Sequence, residues 1–248
     1  MSAFSGTGPG RFGRMVILLS AAIPSVRQLE DRQDNLHLVT EEAIISLGRA
    51  AFAQGVRLVF TGKPDVAFLL ADLAGEYTVP RYAEGPHVRP REEGESVEQL
   101  LTAYVSRPEA REQGLLEAME LLERSGFFAV RWTEEGPVNP FQIVQETRPD
   151  FLICVGGQAD TRRTAGAFRE FRSRQRIYVM ETTGGVSQSL AQEAPDTVNA
   201  FDRIFMRELA GRMETPMEGE RLDLLTQGIP PYPLIMQRLV ADLTGHIG

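Results

Sequence analysis

The chain has very little of several residue types on which common functions depend. Of its 26 basic residues only one, Lys63, is a lysine, and its 248 residues include one cysteine and three histidines. A single cysteine cannot form a disulfide within the chain, so Cys154, in the apolar stretch FLICVGG, is predicted to be a buried core thiol. This cysteine usage favours a reducing compartment, and we expect a cytoplasmic protein.

Long apolar runs and a basic surface are also missing. No apolar stretch approaches the roughly 20 residues that span a bilayer, so no membrane association is expected. The formal charge of −8 argues against nucleic-acid binding, which normally needs a basic face, but it leaves room for a local positive pocket. His37, His87 and His246 lie in predicted loop, connection and tail segments without ligand partners at suitable spacing, so no metal site is predicted.

Strand and helix patterns alternate along most of the chain. Residues 1–13 are Gly-rich and are interpreted as a flexible leader, and residues 14–248 as one domain. Apolar runs that end on small residues predict buried parallel strands at 15–20 and 56–62. A helix is predicted from a Thr40 cap to Gly55, and another from Pro64 to a stop at Gly75. The fold class is therefore α/β, a Rossmann-like open, mostly parallel sheet with helices on both faces.

The second half continues the alternation after an unclear middle. Residues 76–106 are interpreted mostly as an exposed connection with room for one short strand, and residues 107–126 as one helix. A strand at 127–132, a helix capped by Asn139 and strands that begin at 150 and 176 follow. Helices are predicted at 196–213 and 232–243, and the apolar face of the last one belongs either to the core or to a partner contact.

Four predicted strands end in turns of small residues, and in a parallel sheet such ends line one crevice. Glycine lets the backbone approach a phosphate closely, and a helix start or Lys63 adds positive charge there. The candidate ligand-binding residues of these turns are Ser20, Ala21, Thr61, Gly62, Lys63, Gly156, Gly157, Gln158, Glu181, Thr182, Thr183, Gly184 and Gly185. Each has a structural alternative: glycines serve tight turns, hydroxyls satisfy turn backbone, and the lysine lies in a solvated loop.

Charged residues near the same turns have two interpretations. Arg162 and Arg163 either reach a phosphate or form an exposed helix face, which the pattern favours. Asp65, Asp150 and Asp160 are expected near the crevice as acid–base candidates, although a helix-dipole or turn role suits the first two better. Glu181 directly follows a strand, where a carboxylate can accept hydrogen bonds from ribose hydroxyls. No Gly-x-Ser-x-Gly elbow and no P-loop pattern occurs.

The segments VILLSAAIP, LVFTGKPDVAFLL, FLICVGGQADT, VMETTGGVSQSLA and YPLIMQRLV occur in an order that resembles the SLOG superfamily. This Rossmann-like group includes the LOG phosphoribohydrolases, DprA-type proteins and ligand-sensing modules of bacterial antiviral systems. The chain looks most like the branch of predicted sensors of nucleotide-derived signals. That branch has Gly-Gly-His-Pro where this chain has Thr61, Gly62, Lys63 and Pro64.

One motif of the resemblance is only half present. LOG enzymes carry Pro-Gly-Gly-x-Gly-Thr-x-x-Glu, and this chain keeps the glycine pair at Gly184 and Gly185. Ser187, Gln188 and Ala191 replace the third glycine, the threonine and the catalytic glutamate. Loss of that carboxylate removes transition-state interactions and leaves ground-state binding, so the resemblance implies a binder.

The resemblance therefore implies a sensor of a nucleotide or NAD-derived small molecule, such as a cyclic ADP-ribose species, in antiviral defence signalling. It implies no required cofactor, and a homo-oligomer or a separate effector protein as partner. The alternative is an N-glycosidase or nucleotide hydrolase that uses the same crevice, with Glu181 or Glu193 as the carboxylate. A scaffold with a vestigial pocket is the third possibility.

Overall fold

A computed structural model describes residues 15–24, 35–61, 63–78, 100–112, 114–124, 129–134, 136–212 and 230–245. The predicted leader, His87, His246 and the candidate residue Gly62 lie outside these ranges. The described strands form one seven-stranded sheet in the order β4-β3-β2-β1-β5-β6-β7, and every pairing is parallel. The predicted α/β class with a parallel sheet is confirmed.

The strands are short and mostly buried on both faces, as expected when helices cover a parallel sheet. Their bounds are β1 Val16–Ala22, β2 Arg57–Thr61, β3 Leu101–Ser106, β4 Ala129–Thr133, β5 Phe151–Gly156, β6 Ile177–Met180 and β7 Val198–Ala200. The helices are α1 Leu36–Ala53, α2 Pro64–Thr78, α3 Arg107–Glu112, α4 Leu116–Arg124, α5 Pro140–Thr147, α6 Ala159–Phe171, α7 Gly185–Glu193, α8 Phe201–Arg212 and α9 Tyr232–Gly245.

Two apolar clusters sandwich the sheet. The first packs alternate strand residues such as Leu19 and Phe60 against α1, α2, α3, α4, α8 and α9. The second packs the opposite face, including Leu18 and Val59, against α5, α6 and α7. Of the described helices, six therefore cover one face and three the other. Helix α9 contributes six buried side chains and packs on α1, so its apolar face belongs to the core, which was one of the two alternatives.

Several element boundaries differ from the sequence predictions. Helix α1 begins at Leu36, so Thr40 lies one turn inside it and its hydroxyl donates to the Leu36 carbonyl instead of capping the helix. Helix α2 runs through Gly75 to residue 78, because its packing outweighs the low helix propensity of one glycine. The helix predicted over 107–126 is two helices, broken at Gly114, whose φ is +68°.

Strand β7 and helix α7 were not predicted, and β3 was predicted only as one short strand without an assigned position. Strand β3 lies inside the segment interpreted as an exposed connection, and all six of its residues are buried. Strand β7 occupies the start of the predicted helix 196–213. Helix α7 begins at the second glycine of the last turn, after a 3₁₀ turn over residues 181–183 that ends the predicted strand early.

Candidate functional site

The sheet order places β1 and β5 at the point where the chain changes direction of winding. From β1 the strands run outward to β4 on one side, and β5, β6 and β7 follow on the other. Ala22 pairs with Gly156 at the carboxyl ends of these two central strands. In open α/β sheets the crevice outside this switch point is the usual place for a ligand. Ser20 and Ala21 lie just below it, buried within β1.

The two glycine pairs of the site are packed against each other. Gly156, Gly157, Gly184 and Gly185 all have positive φ, between +59° and +95°. A Cβ on Gly185 would lie 2.6 Å from the Gly157 carbonyl oxygen, and that oxygen accepts a hydrogen bond from the Val186 amide at 3.2 Å. The glycines therefore allow two turn backbones to approach each other, a structural role beside the predicted approach to a ligand.

Thr183 ties the same two turns together. Its buried hydroxyl accepts a hydrogen bond from the Gly156 amide and donates one to the Met180 carbonyl, both at 2.6 Å. The Ser187 hydroxyl donates to the Gly156 carbonyl at 2.8 Å. The Thr183 hydroxyl thus satisfies turn backbone, which was the alternative to a ligand role.

A buried carboxylate that the sequence analysis missed anchors the 181–183 turn. Asp202, fully buried at the start of α8, accepts hydrogen bonds from the Glu181 amide at 3.0 Å and the Thr182 amide at 2.8 Å. The Thr182 hydroxyl also donates to this carboxylate and bonds the Tyr232 hydroxyl. Burial raises the pKa of Tyr232, so its hydroxyl stays protonated at neutral pH. Because residues 196–213 were interpreted as one helix, the signal was missed: an aspartate two residues after the end of a short strand.

Glu181 is held by an arginine. Its side chain is only 11% exposed, and one carboxylate oxygen lies 2.6 Å from the Arg203 guanidinium. The predicted ribose contact would have to share or displace this ion pair.

Next to the central strands is a cavity of about 340 Å³, here named the edge cavity. Turns after β2 and β4 and the first turn of α6 form most of its wall. Its described lining residues are Thr61, Lys63, Glu109, Pro137, Val138, Pro140, Gln158, Ala159, Asp160, Arg163 and Thr164. Of the predicted ligand residues, Thr61, Lys63 and Gln158 are brought together here. The predicted residues of β1 and of the two glycine turns are outside this lining.

Charged groups of both signs face the edge cavity. The Lys63 ammonium lies 3.3 Å from an Asp160 carboxylate oxygen, and the two side chains are 32% and 34% exposed. The other Asp160 oxygen accepts a hydrogen bond from the Thr161 amide at the start of α6. Arg163 lines the same wall, one turn further along that helix. Glu109 and the loop residues Pro137 and Val138 were not predicted, because only the tertiary fold brings them to this edge.

The other charged candidates have different positions. Arg162 forms a two-point ion pair with Glu193, at 2.5 and 2.9 Å, on the exposed face of α6 and α7, in agreement with the favoured interpretation. Asp65 accepts the Val66 amide in the first turn of α2. The expectation that Asp150 lies near the crevice is wrong. Asp150 directly precedes β5, at the amino ends of the strands, and its carboxylate accepts a hydrogen bond from the Val16 amide at 2.9 Å.

His37 is the one histidine within the described ranges. His37 lies in the first turn of α1, not in a loop as predicted, and its Nδ1 is buried without a hydrogen-bond partner. Among the described ranges no three histidine, cysteine or acidic side chains come together as metal ligands. None of the described helices is long and apolar enough to cross a bilayer.

Cys154 is fully buried in β5, as predicted for a core thiol, and burial raises its pKa to about 12. Because only the thiolate reacts readily, we expect no labelling of the native protein by a thiol-specific disulfide reagent at pH 8. One equivalent should react after denaturation in urea, since the chain has one cysteine. Rapid labelling of the native protein would contradict the buried position.

Comparisons with known proteins give a likeness of fold only. No known family matches the chain, and no curated protein does. Among solved structures, one described as the X-ray structure of TM1055, a structural genomics target, matches with a TM-score of 0.44 and 13% identity. The match covers 75% of this chain and 89% of the other. A likeness at this level carries no information about function.

Proposed function

We propose that this protein binds a nucleotide-derived small molecule in the edge cavity and acts as a sensor without turning the molecule over. The observation that carries the proposal is the position of Lys63, the single lysine of the chain, in a cavity at the carboxyl edge of the sheet. The proposal includes membership of the sensor branch of the SLOG superfamily, with an NAD-derived signal such as a cyclic ADP-ribose species as the ligand.

The edge cavity has the size and the groups that such a ligand needs. Its volume falls within the range of small-molecule sites, roughly 300–1,000 Å³. Lys63 and Arg163 can contact phosphate oxygens, and the first turn of α6 adds partial positive charge. Pro137 and Val138 offer apolar contacts to a base, and the Gln158 side chain offers polar contacts to a sugar.

Asp160 occupies the position that a ligand phosphate would compete for. Its carboxylate is the internal partner of both Lys63 and the α6 amino end. A bound phosphate would replace it at the lysine, so affinity depends on how easily this ion pair separates. The pair is partly exposed, and such pairs contribute little stability, so its separation costs little.

Binding without turnover is favoured by the positions of the two glutamates that the hydrolase alternative would use, and Asp160, which does line the edge cavity, is paired with Lys63. Glu181 is held by Arg203 and lies outside the described lining of the edge cavity. Glu193 is engaged by Arg162 on the surface, and Ala191 stands where the related enzymes have their catalytic glutamate. A signal would then pass through self-association or a separate effector protein, by a shift between packings that the ligand distinguishes.

We expect AMP, ATP, NAD, ADP-ribose or a cyclic ADP-ribose isomer to bind saturably in calorimetric titration. Lys63→Ala should weaken binding by about 10- to 100-fold, because a charge-assisted hydrogen bond is lost. Asp160→Asn should strengthen it, because the competing carboxylate loses its charge. Arg207→Ala, which removes one positive charge from the exposed face of α8, is the matched control and should change binding little.

Chromatography of each mixture after incubation distinguishes the alternatives. Recovery of the unchanged ligand supports a sensor. Release of a free base, abolished in Glu181→Gln, would instead establish the hydrolase. No binding across the panel, or equal affinity in the Lys63→Ala variant and the wild type, would contradict a ligand role for this lysine.

A further inference from the structure

A second cavity lies on the sheet face that only three described helices cover. It has a volume of about 520 Å³ and lies between β2, β3, the edge strand β4 and helix α5. We name it the arginine groove. Its described lining residues are Arg57, Tyr104, Val130, Arg131, Trp132, Thr133, Gln142, Glu146 and Thr147, none of which lines the edge cavity.

Within the described ranges, this face of the sheet is incompletely covered at the groove. Helices α5, α6 and α7 have 8, 13 and 9 residues, and α5 packs mainly on α6. Parallel sheets are normally covered on both faces, and among the described helices only α5 lines the groove. Most side chains of the lining are polar, whereas Val130 and Trp132, on the other face of the edge strand, pack against the first apolar cluster.

Strand register brings two arginines to the same place. Tyr104 pairs directly with Arg131 on the neighbouring strand, so both side chains leave the same face of the sheet. Thr61 of β2 pairs with Tyr104, and Arg57 lies four residues earlier on the same strand. An even spacing along a strand places Arg57 on the same face of the sheet. Its Nη2 donates to the Thr102 hydroxyl at 3.3 Å, two residues before Tyr104. Both arginines therefore lie on the sheet face that carries Tyr104, and both line the groove.

The described side chains of the groove balance only part of the charge of these arginines, two positive charges against one carboxylate. Glu146 is the only carboxylate in the described lining, and neutral donors occupy both its oxygens: Tyr104 at 2.9 Å and Gln142 at 2.7 Å. Within the described part of the chain, Arg131 has no ion-pair partner. The Nε of Arg57 is buried and lacks a hydrogen-bond acceptor there, a costly state for a charged group.

We propose that the arginine groove is a second binding site, which takes a small molecule through a phosphate or carboxylate oxyanion held between Arg57 and Arg131. Guanidinium groups bind both oxyanions in a planar, two-point geometry, which suits a pair of arginines better than lysines. The Tyr104 hydroxyl, kept protonated by burial and by Glu146, which raise its pKa to about 12, does not add a competing negative charge.

The test is a calorimetric titration of the full chain at low ionic strength with two probes, pyrophosphate and citrate, which separate phosphate from carboxylate ligands. We expect saturable binding of at least one probe, weakened about tenfold or more in Arg131→Ala. Arg131 is exposed, so this variant should fold normally. Arg57→Met, which keeps the length of the side chain but not its charge, should weaken binding similarly.

Two control variants separate this site from other sources of anion binding. Arg207→Ala removes one charge from the opposite face and should bind the probes like the wild type. Lys63→Ala removes probe binding in the edge cavity, and the binding that Arg131→Ala weakens should persist in this variant. Binding that Lys63→Ala abolishes and Arg131→Ala preserves would overturn the proposal in favour of the edge cavity. Absence of binding by both probes, or equal loss in Arg207→Ala and Arg131→Ala, would overturn it as well.

Discussion

Replacing Asp202 with alanine is expected to lower the free energy of unfolding by about 3–5 kcal/mol. The buried carboxylate accepts the amides of Glu181, Thr182 and Arg203 and the hydroxyl of Thr182. Alanine leaves these donors without their acceptor and creates a cavity. Since domains of this size are commonly stable by about 5–15 kcal/mol, urea denaturation followed by circular dichroism should resolve the change easily.

Tyr232→Phe provides the comparison for this cluster. It removes the hydroxyl that bonds Thr182 but leaves the Asp202 contacts intact, so we expect a loss of only about 0.5–1.5 kcal/mol. If the free energy of unfolding fell by the same small amount in Asp202→Ala and Tyr232→Phe, Asp202 would not be the anchor of the 181–183 turn. Ligand titration of Asp202→Asn, which keeps the shape of the side chain, would then show whether an ordered 181–185 turn is needed for binding.

The second large effect is expected for Gly185→Ala, with a loss of about 2–4 kcal/mol in the free energy of unfolding. The new Cβ would lie 2.6 Å from the Gly157 carbonyl oxygen, a backbone atom that cannot swing away as a side chain would. In addition, alanine disfavours the φ of +59° found there. The two turns would have to separate, with loss of the hydrogen bond from Val186 to Gly157.

Gly166→Ala is the matched control, because a Cβ added at this position in helix α6 would have no neighbouring atom within 4 Å. It should raise the free energy of unfolding by about 0.5–1 kcal/mol, since alanine favours a helix. Thermal or urea unfolding of both variants side by side tests the pair. A Gly185→Ala variant as stable as the wild type would contradict the close packing of the turns.

Those parts of the fold whose signal is local could be predicted from the sequence. The strands around Leu18, Val59 and Ile153 are continuous apolar runs, and each was assigned correctly within a few residues. Asn139 caps α5 as predicted, with its side chain accepting from Phe141. Alternation of these elements was enough for the α/β class, because a parallel sheet needs helical crossovers.

The missed elements depend on tertiary context. Strand β3 carries Thr102, Ser106 and Tyr104 on its second face, so it lacks the apolar run of a buried strand, although every residue is buried. The residues of the candidate site also fall into a group that local sequence predicted and a group that it did not. Lys63 and Gln158 were predicted because they follow strands, whereas Glu109 and Val138 reach the edge cavity from distant segments that no local pattern connects. Asp202 escaped notice because its partners precede it by about 20 residues.

The central pairing of the sheet also has a consequence for synthesis on the ribosome. β1 pairs with β5, and the register joins Ile17 to Phe151, 134 residues later in the chain. At about 5–20 residues per second, roughly 7–27 s pass between the emergence of the two strands. Throughout that interval β1, with the sequence VILLSAA, has only β2 as a native neighbour. The edge of β1 that later pairs with β5 has no partner. The nascent chain thus carries an open, apolar strand edge that the finished protein never exposes, and it is the form most in need of a chaperone.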